Sequence, residues 1–251
     1  MRWSWSAFFS FLTDPQIIQG AWTTIWLTVV SMIFGLVLGF VVAGVRTSRF
    51  MAVRLVGGCY VWLFRGTPLL VQLIIIYTGL PQLGIRLGVF TSAILGLVLN
   101  EAAYLSEIVR AGVLSVPSGQ REAARALGMS PLVALRRVIL PQAFRIMLPP
   151  LGNSFNGLLK TTTLVSVVSV EELLRRTQLA VQVNFRVLEG LTAAAVYFLA
   201  MTTLWGFVQR WLESLSGQEQ AIRRADTRRR RRGPAMTPAQ LVNVELEGVQ
   251  R

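Results

Sequence analysis

Histidine is absent from this 251-residue sequence, cysteine occurs once, at Cys59, and lysine once, at Lys160. Disulfide frameworks, cysteine–histidine metal sites and histidine-based catalytic dyads or triads are therefore excluded within the chain. No Gly-x-x-x-x-Gly-Lys-Ser/Thr run is present to cradle nucleotide phosphates, and no Gly-x-Ser-x-Gly elbow to present a nucleophile. A membrane-embedded enzyme is thus left without its usual parts. Charge is also scarce: 15% of the residues are charged, against about 25% in a typical soluble domain. The near-absence of lysine among 25 basic residues reads as a bias toward arginine and carries no functional weight.

What is abundant is apolar sequence, at 53%, and the bilayer is its expected solvent. The formal net charge of +13 invites a nucleic-acid reading, but the basic residues sit between long apolar runs and in a tail containing the arginine run 228–232. A membrane surface accounts for them better, and no nucleic-acid partner is expected. Residues 1–14 lack the basic start, uninterrupted apolar core and small-residue cleavage site of a removable signal. The first span is expected to remain and to do the targeting.

A spanning helix needs about 20 mostly apolar residues. Five candidates meet this: 21–45, 57–80 (broken by Arg65 and Pro68), 90–113, 143–170 and 187–211. The expected fold is all-α, a polytopic membrane protein with five transmembrane helices. It comprises an extracytoplasmic segment 1–20, a transmembrane domain 21–212 and a basic, disordered cytoplasmic tail 213–251 held near anionic lipid or simply solvated. Cytoplasmic loops retain Lys and Arg, so the N-terminus is expected outside and the C-terminus inside. That choice puts Arg46, Arg49, Arg54, the segment 117–140 and the tail in the cytoplasm. Arg175, Arg176 and Arg186 then lie outside, partly offset by Glu171, Glu172 and Glu189. In the first span Ser31, Gly35, Gly39 and Ala43 recur every fourth residue, a stripe that lets another backbone approach. Packing within the chain and a dimer interface both fit it.

The polar segment 117–140 cannot span and resolves into helix, turn and helix. Residues 120–127 are strong helix formers, and Gly128 suits the left-handed position that ends a helix. Ser130 is placed to cap a second helix with Pro131 at its first position. That helix, 131–139, carries Leu132, Leu135 and Ile139 on one face and Arg136 and Arg137 near its end. Such an element either lies on lipid or docks a soluble partner.

The order Gly119, Gln120, Glu122, Ala123, Ala124, Leu127, Gly128, Met129 closely resembles the EAA loop of permease subunits in bacterial ATP-binding-cassette importers. RGTPLLVQ at 65–72, ILPQAFR at 139–145, and LPPLGNSF with LLK within 148–160 resemble the polar amino acid branch. The resemblance covers roughly 23–212. It implies a type I importer fold in the cytoplasmic membrane, with the loop seated in a groove of a separate ATPase dimer that holds ATP and Mg. Glu122 and Arg125 would lie at or near that docking surface, with Gly128, Ser130 and Pro131 shaping the turn. It further implies a second permease subunit, identical or paralogous, an extracytoplasmic solute-binding protein, and no cofactor bound by this chain.

Ionisable groups in the bilayer normally face protein or water, and Arg65, Glu101, Glu107 and Lys160 need such places. At 1.5 Å per residue, either glutamate can reach Arg65. One reading is that ion pairs lock the second span to the third. The other is that Arg65, Asn100 and Glu101 line a substrate path, a guanidinium for a carboxylate and an acid for an ammonium. Lys160 and Thr161 extend this set in the fourth span, although the hydroxyl run 161–163 serves helix packing equally well. In relatives for basic amino acids an acidic residue often follows this lysine. Thr161 stands there instead, so a polar or neutral amino acid is expected. Importers for other small solutes and secondary transporters remain alternatives.

Overall fold

The computed structural model describes residues 3–215, and every regular element within them is helical. The expected tail and its arginine run 228–232 lie outside the described residues. Two compact units are distinguished, Met1–Arg210 and Trp211–Arg251. The second is described only as far as Leu215, the end of the last helix, and the packing and the cleft below belong to the first.

α1 (Trp5–Leu12) begins at Ser4, whose side chain accepts from the Ala7 amide. α2 (Pro15–Arg46) starts on Asp14, whose carboxylate accepts the Gln16 N–H at 2.8 Å, with proline at the first position where its missing donor costs nothing. α5 (Val89–Leu114) packs along α2. The stripe Ser31, Gly35, Gly39 and Ala43 is wholly buried in α2, and its middle faces α5. A Cβ on Gly39 would meet Leu105 Cβ at 3.0 Å and the Ser106 amide at 3.2 Å, and one on Gly35 would meet Glu101 Cβ at 3.3 Å. Small residues here set the distance between the two helix axes.

α2, α5 and α10 (Val187–Leu215) are each long and apolar enough to cross a membrane, within a few residues of three of the expected spans. The second span is broken at Pro68, as its sequence suggests, and the break is sharp. α3 (Met51–Gly66) and the following helical run Leu69–Leu83, containing α4 (Leu69–Ile74), are bent by 103° at the Thr67–Pro68 break. Counted as one span, this pair makes four. The cause is local: Pro68 has no N–H to give the Phe64 carbonyl one turn back. Gln72 Nε2 and Asn100 Nδ2 supply that carbonyl instead, at 3.0 and 3.1 Å, and Gln72 Nε2 also donates to the Thr67 carbonyl and hydroxyl.

The loop after α5 forms α6 (Ser118–Ala126), a turn, and α7 (Pro131–Ala134). α7 continues through a single π turn (Leu135–Ile139) into α8 (Leu140–Thr161). The second loop helix is therefore not the separate short helix expected, but the end of a rod that runs on to Thr161. Ser130 occupies the N-cap position, yet its side chain makes no capping hydrogen bond; its carbonyl accepts from Ala134 at 2.9 Å. Leu132, placed on one face with Leu135 and Ile139, is 60% exposed, whereas Ile139 is buried together with Ala134. The π turn adds a residue to the helical repeat and rotates the face.

α8 carries Pro149 and Pro150 and a polar face, and it does not count among the apolar spans. A 3₁₀ stretch (Thr162–Val168) leads to α9 (Leu173–Asn184). Glu172 caps α9, accepting the Leu174 and Arg175 amides at 2.9 and 2.8 Å while wholly buried. Gly20 lets α9 reach α2: a Cβ there would sit 2.9 Å from Leu173 Cα. The Arg175, Arg176 and Arg186 exception is partly neutralised, since Arg176 pairs with Glu171 at 3.4 Å and Arg186 with Glu189 at 3.2 Å.

Candidate functional site

The 103° break opens a polar cleft of about 530 Å³ between α3, α4, α5 and α8. Four residues singled out from the sequence line it: Arg65, Asn100, Glu101 and Thr161. Asn100 is held by the Phe64 carbonyl and by Gln72 Oε1, each at 3.1 Å, so the network that repairs the broken backbone also fixes one wall of the cleft. Glu101 lies under the α2 stripe, 8% exposed, with Oε1 buried and without a hydrogen-bond partner among the described residues. Ser154 on α8 reaches the same carboxyl group. Thr161 spends its own donor on the Gly157 carbonyl at 3.1 Å, leaving an oxygen to the cleft.

Glu107 and Lys160 are not among the lining residues. Glu107 lies beyond the cleft wall in a cluster, bonded to Arg46 and to both Nε and Nη2 of Arg110, at 3.1 and 3.0 Å. Its remaining neighbour is Arg65, at 3.7 Å. Of the two glutamates in reach, Glu107 is therefore the partner of Arg65. The Arg65 guanidinium also stacks over the Tyr104 ring, 5.1 Å from its centroid. Lys160 is exposed on α8. Tyr104 and Ser154 were not singled out beforehand. Each is an ordinary helix residue in sequence, and only the packing of α5 against α8 brings them to the cleft.

The loop presents a second surface. Gly128 ends α6 at φ +72°, with Met129 N–H donating to the Ala124 carbonyl at 3.0 Å and Gly128 N–H to Arg125 at 2.9 Å. This paired pattern closes a helix around a left-handed residue. Ala124 points inward, whereas Gly119, Gln120, Glu122, Ala123, Arg125, Leu127, Ser130 and Pro131 are exposed. Leu127 is 75% exposed, so with Leu132 two large apolar side chains flank the turn. Two polar links tie the loop back: Arg121 Nη2 donates to the Val113 carbonyl of α5 at 2.7 Å, and Gln142 of α8 donates to Gln120 at 3.2 Å.

Residues 35–215 match the model of the family described as binding-protein-dependent transport system inner membrane component. The glutamine transport system permease protein of Escherichia coli K12 is 40% identical over 215 residues, covering 85% of this chain and 97% of its own. The L-cystine transport system permease protein of Bacillus subtilis is 48% identical over 164 residues, covering 65% and 70%. Among solved structures, an amino acid ABC transporter crystallised with histidines matches at a TM-score of 0.80 and 36% identity, over 85% of this chain and 99% of that one. The chain belongs to this family of inner-membrane transport components, and its place is the bacterial inner membrane.

Proposed function

We propose that the chain is the pore-forming permease subunit of an ATP-driven amino acid importer, with polar or neutral amino acids favoured over cationic ones. The observation that carries this reading is the cleft at the Thr67–Pro68 break, where Arg65, Asn100 and Glu101 stand on one polar surface. A free amino acid brings a carboxylate for the guanidinium and an ammonium for the acid or for carbonyl groups. Thr161, where an acidic residue often stands in relatives for basic amino acids, is the argument for a neutral side chain. The relatives include transport permeases named for glutamine, cystine and arginine.

In this reading the bent pair Met51–Leu83 and α8 complete five spans with α2, α5 and α10. α8 is 22 residues long, roughly 33 Å at helical rise and enough for the hydrocarbon core, and its polar face turns to the cleft. The N-terminus is outside, as the arginine distribution favours. The loop 117–140 docks on a cytoplasmic ATPase dimer that holds ATP and Mg, with the exposed Leu127 and Leu132 as apolar contacts. A second permease subunit and an extracytoplasmic binding protein complete the importer. Residues 1–20 face outside and 213–251 form the cytoplasmic tail. Tests use the importer reconstituted with its ATPase and binding protein. Arg65→Ala should raise the amino acid concentration that half-stimulates ATP hydrolysis, whereas unchanged stimulation would remove Arg65 from the path.

A further inference from the structure

Three guanidiniums gather on one carboxylate where α2, α3 and α5 meet. Arg46 takes Glu107 Oε1, Arg110 takes Oε2 with two N–H groups, and Arg65 remains 3.7 Å away. That distance lies beyond hydrogen-bond range. Arg65 is also the most open of the four, with 44% of its side chain exposed against 22% for Glu107, and it alone lines the cleft. The local charge is three cations less one anion, or +2, so the cluster favours one more anion. Arg65 is the member whose guanidinium lines this cleft with no hydrogen bond to Glu107.

We infer that Arg46 and Arg110 are positioning residues for the substrate carboxylate: by taking the hydrogen bonds of Glu107 they hold Arg65 to a long 3.7 Å ion pair and leave its guanidinium donors available in the cleft. The inference rests on the reading of Arg65 as the carboxylate site. Without Arg110, Glu107 Oε2 is vacant and turns to Arg65, whose planar fork suits a two-point carboxylate contact. The substrate must then displace an internal anion. Tyr104, which also lines the cleft, gives the guanidinium a cation–π contact there. The same cluster explains why Glu107, adjacent in sequence to the cleft residues, does not itself need to touch substrate.

The test uses the reconstituted importer with its binding protein and ATPase. A panel of the twenty protein amino acids first identifies the one taken up fastest, and that amino acid and its carboxamide are the probes. Arg110→Gln lowers the local charge from +2 to +1 and should raise the half-saturating concentration of the amino acid about threefold, as expected for one half-exposed charge. It should narrow the preference for the acid over the carboxamide. R110Q/E107Q restores +2 and removes the competing carboxylate, and should return half-saturation to near wild type. Arg110→Lys keeps the charge and should stay close to wild type. If R110Q does not assemble, R46Q makes the same charge change from α2 and keeps the Cγ against which Gly57 packs. If R65A raises half-saturation while R110Q and R46Q do not, the positioning role is wrong and the carboxylate site stands. A double variant as poor as R110Q makes the cluster merely structural and overturns the inference. Unchanged half-saturation in R65A, or no uptake of any amino acid, removes both.

Discussion

Gly128→Val isolates what the left-handed turn does. Gly128 sits at φ +72°, and a Cβ built there meets nothing within 4 Å, so the whole penalty is backbone conformation. An L-residue in this region costs roughly 1–2 kcal/mol, and a β-branched one falls at or above the top of that range. About 1.4 kcal/mol is a tenfold change in equilibrium constant, so the closed turn of α6 would lose at least that factor against frayed alternatives. The paired Met129 and Gly128 hydrogen bonds are what fraying breaks, and with them goes the fixed angle between Leu127 and Leu132. ATP-driven uptake in proteoliposomes should fall about tenfold or more in Gly128→Val, with Gly128→Ala intermediate and Gly128→Asn, which tolerates the left-handed region, least affected. Yield of the purified membrane protein should not change. Gly119→Ala is the control, since Gly119 has neither positive φ nor a close neighbour. Wild-type uptake by Gly128→Val, or equal losses at Gly119 and Gly128, would refute this account of the turn.

Other substitutions probe the fold that holds the cleft. Gly39→Ala should lower thermal stability in detergent by about 1–3 kcal/mol, because its Cβ meets α5 backbone at 3.2–3.3 Å; Gly44→Ala, with open space around it, should be neutral. Gln72→Leu leaves the Phe64 and Thr67 carbonyls short of donors and should cost about 1–3 kcal/mol, read as a lower unfolding temperature with substrate affinity falling alongside. Glu172 lies outside the proposed spans, and burial pushes its carboxyl up to about 7 against the opposing pull of the Leu174 and Arg175 amides and Thr24. Its folded-state pKa is above the unfolded one, so its contribution to stability is complete below about pH 4.5 and is lost as pH rises through about 7, by at most about 3 kcal/mol. Glu172→Gln should flatten the stability profile between those limits, and an unchanged profile would show the carboxyl to be ionised throughout.

The legible parts of the fold were those written in local chemistry. Long apolar runs announced α2, α5 and α10, and Gly128 announced a left-handed helix end, because hydrophobic periodicity and positive φ are properties of a few neighbouring residues. In the second span Pro68 marks the break, but not its 103° sharpness. Its bend is stabilised by Gln72 and by Asn100, 32 positions beyond the proline, and no local rule reports such a partner. Likewise the π turn that carries α7 into α8 leaves Leu132 exposed, a rotation that a regular 3.6-residue repeat does not anticipate.

For the cleft, the sequence by itself determined the residue types: an arginine, an asparagine and glutamates within apolar runs, costly in lipid and so in need of a protein-lined place. Which glutamate meets Arg65 was undetermined, since helical rise allowed either. Only the tertiary structure decided it, because Gly35 and Gly39 let α5 press against α2 in one register. That register buries Glu101 beneath the stripe and turns Glu107 toward Arg46. Rise along a helix fixes how far a side chain can reach, whereas rotation about the axis is set by what packs against it.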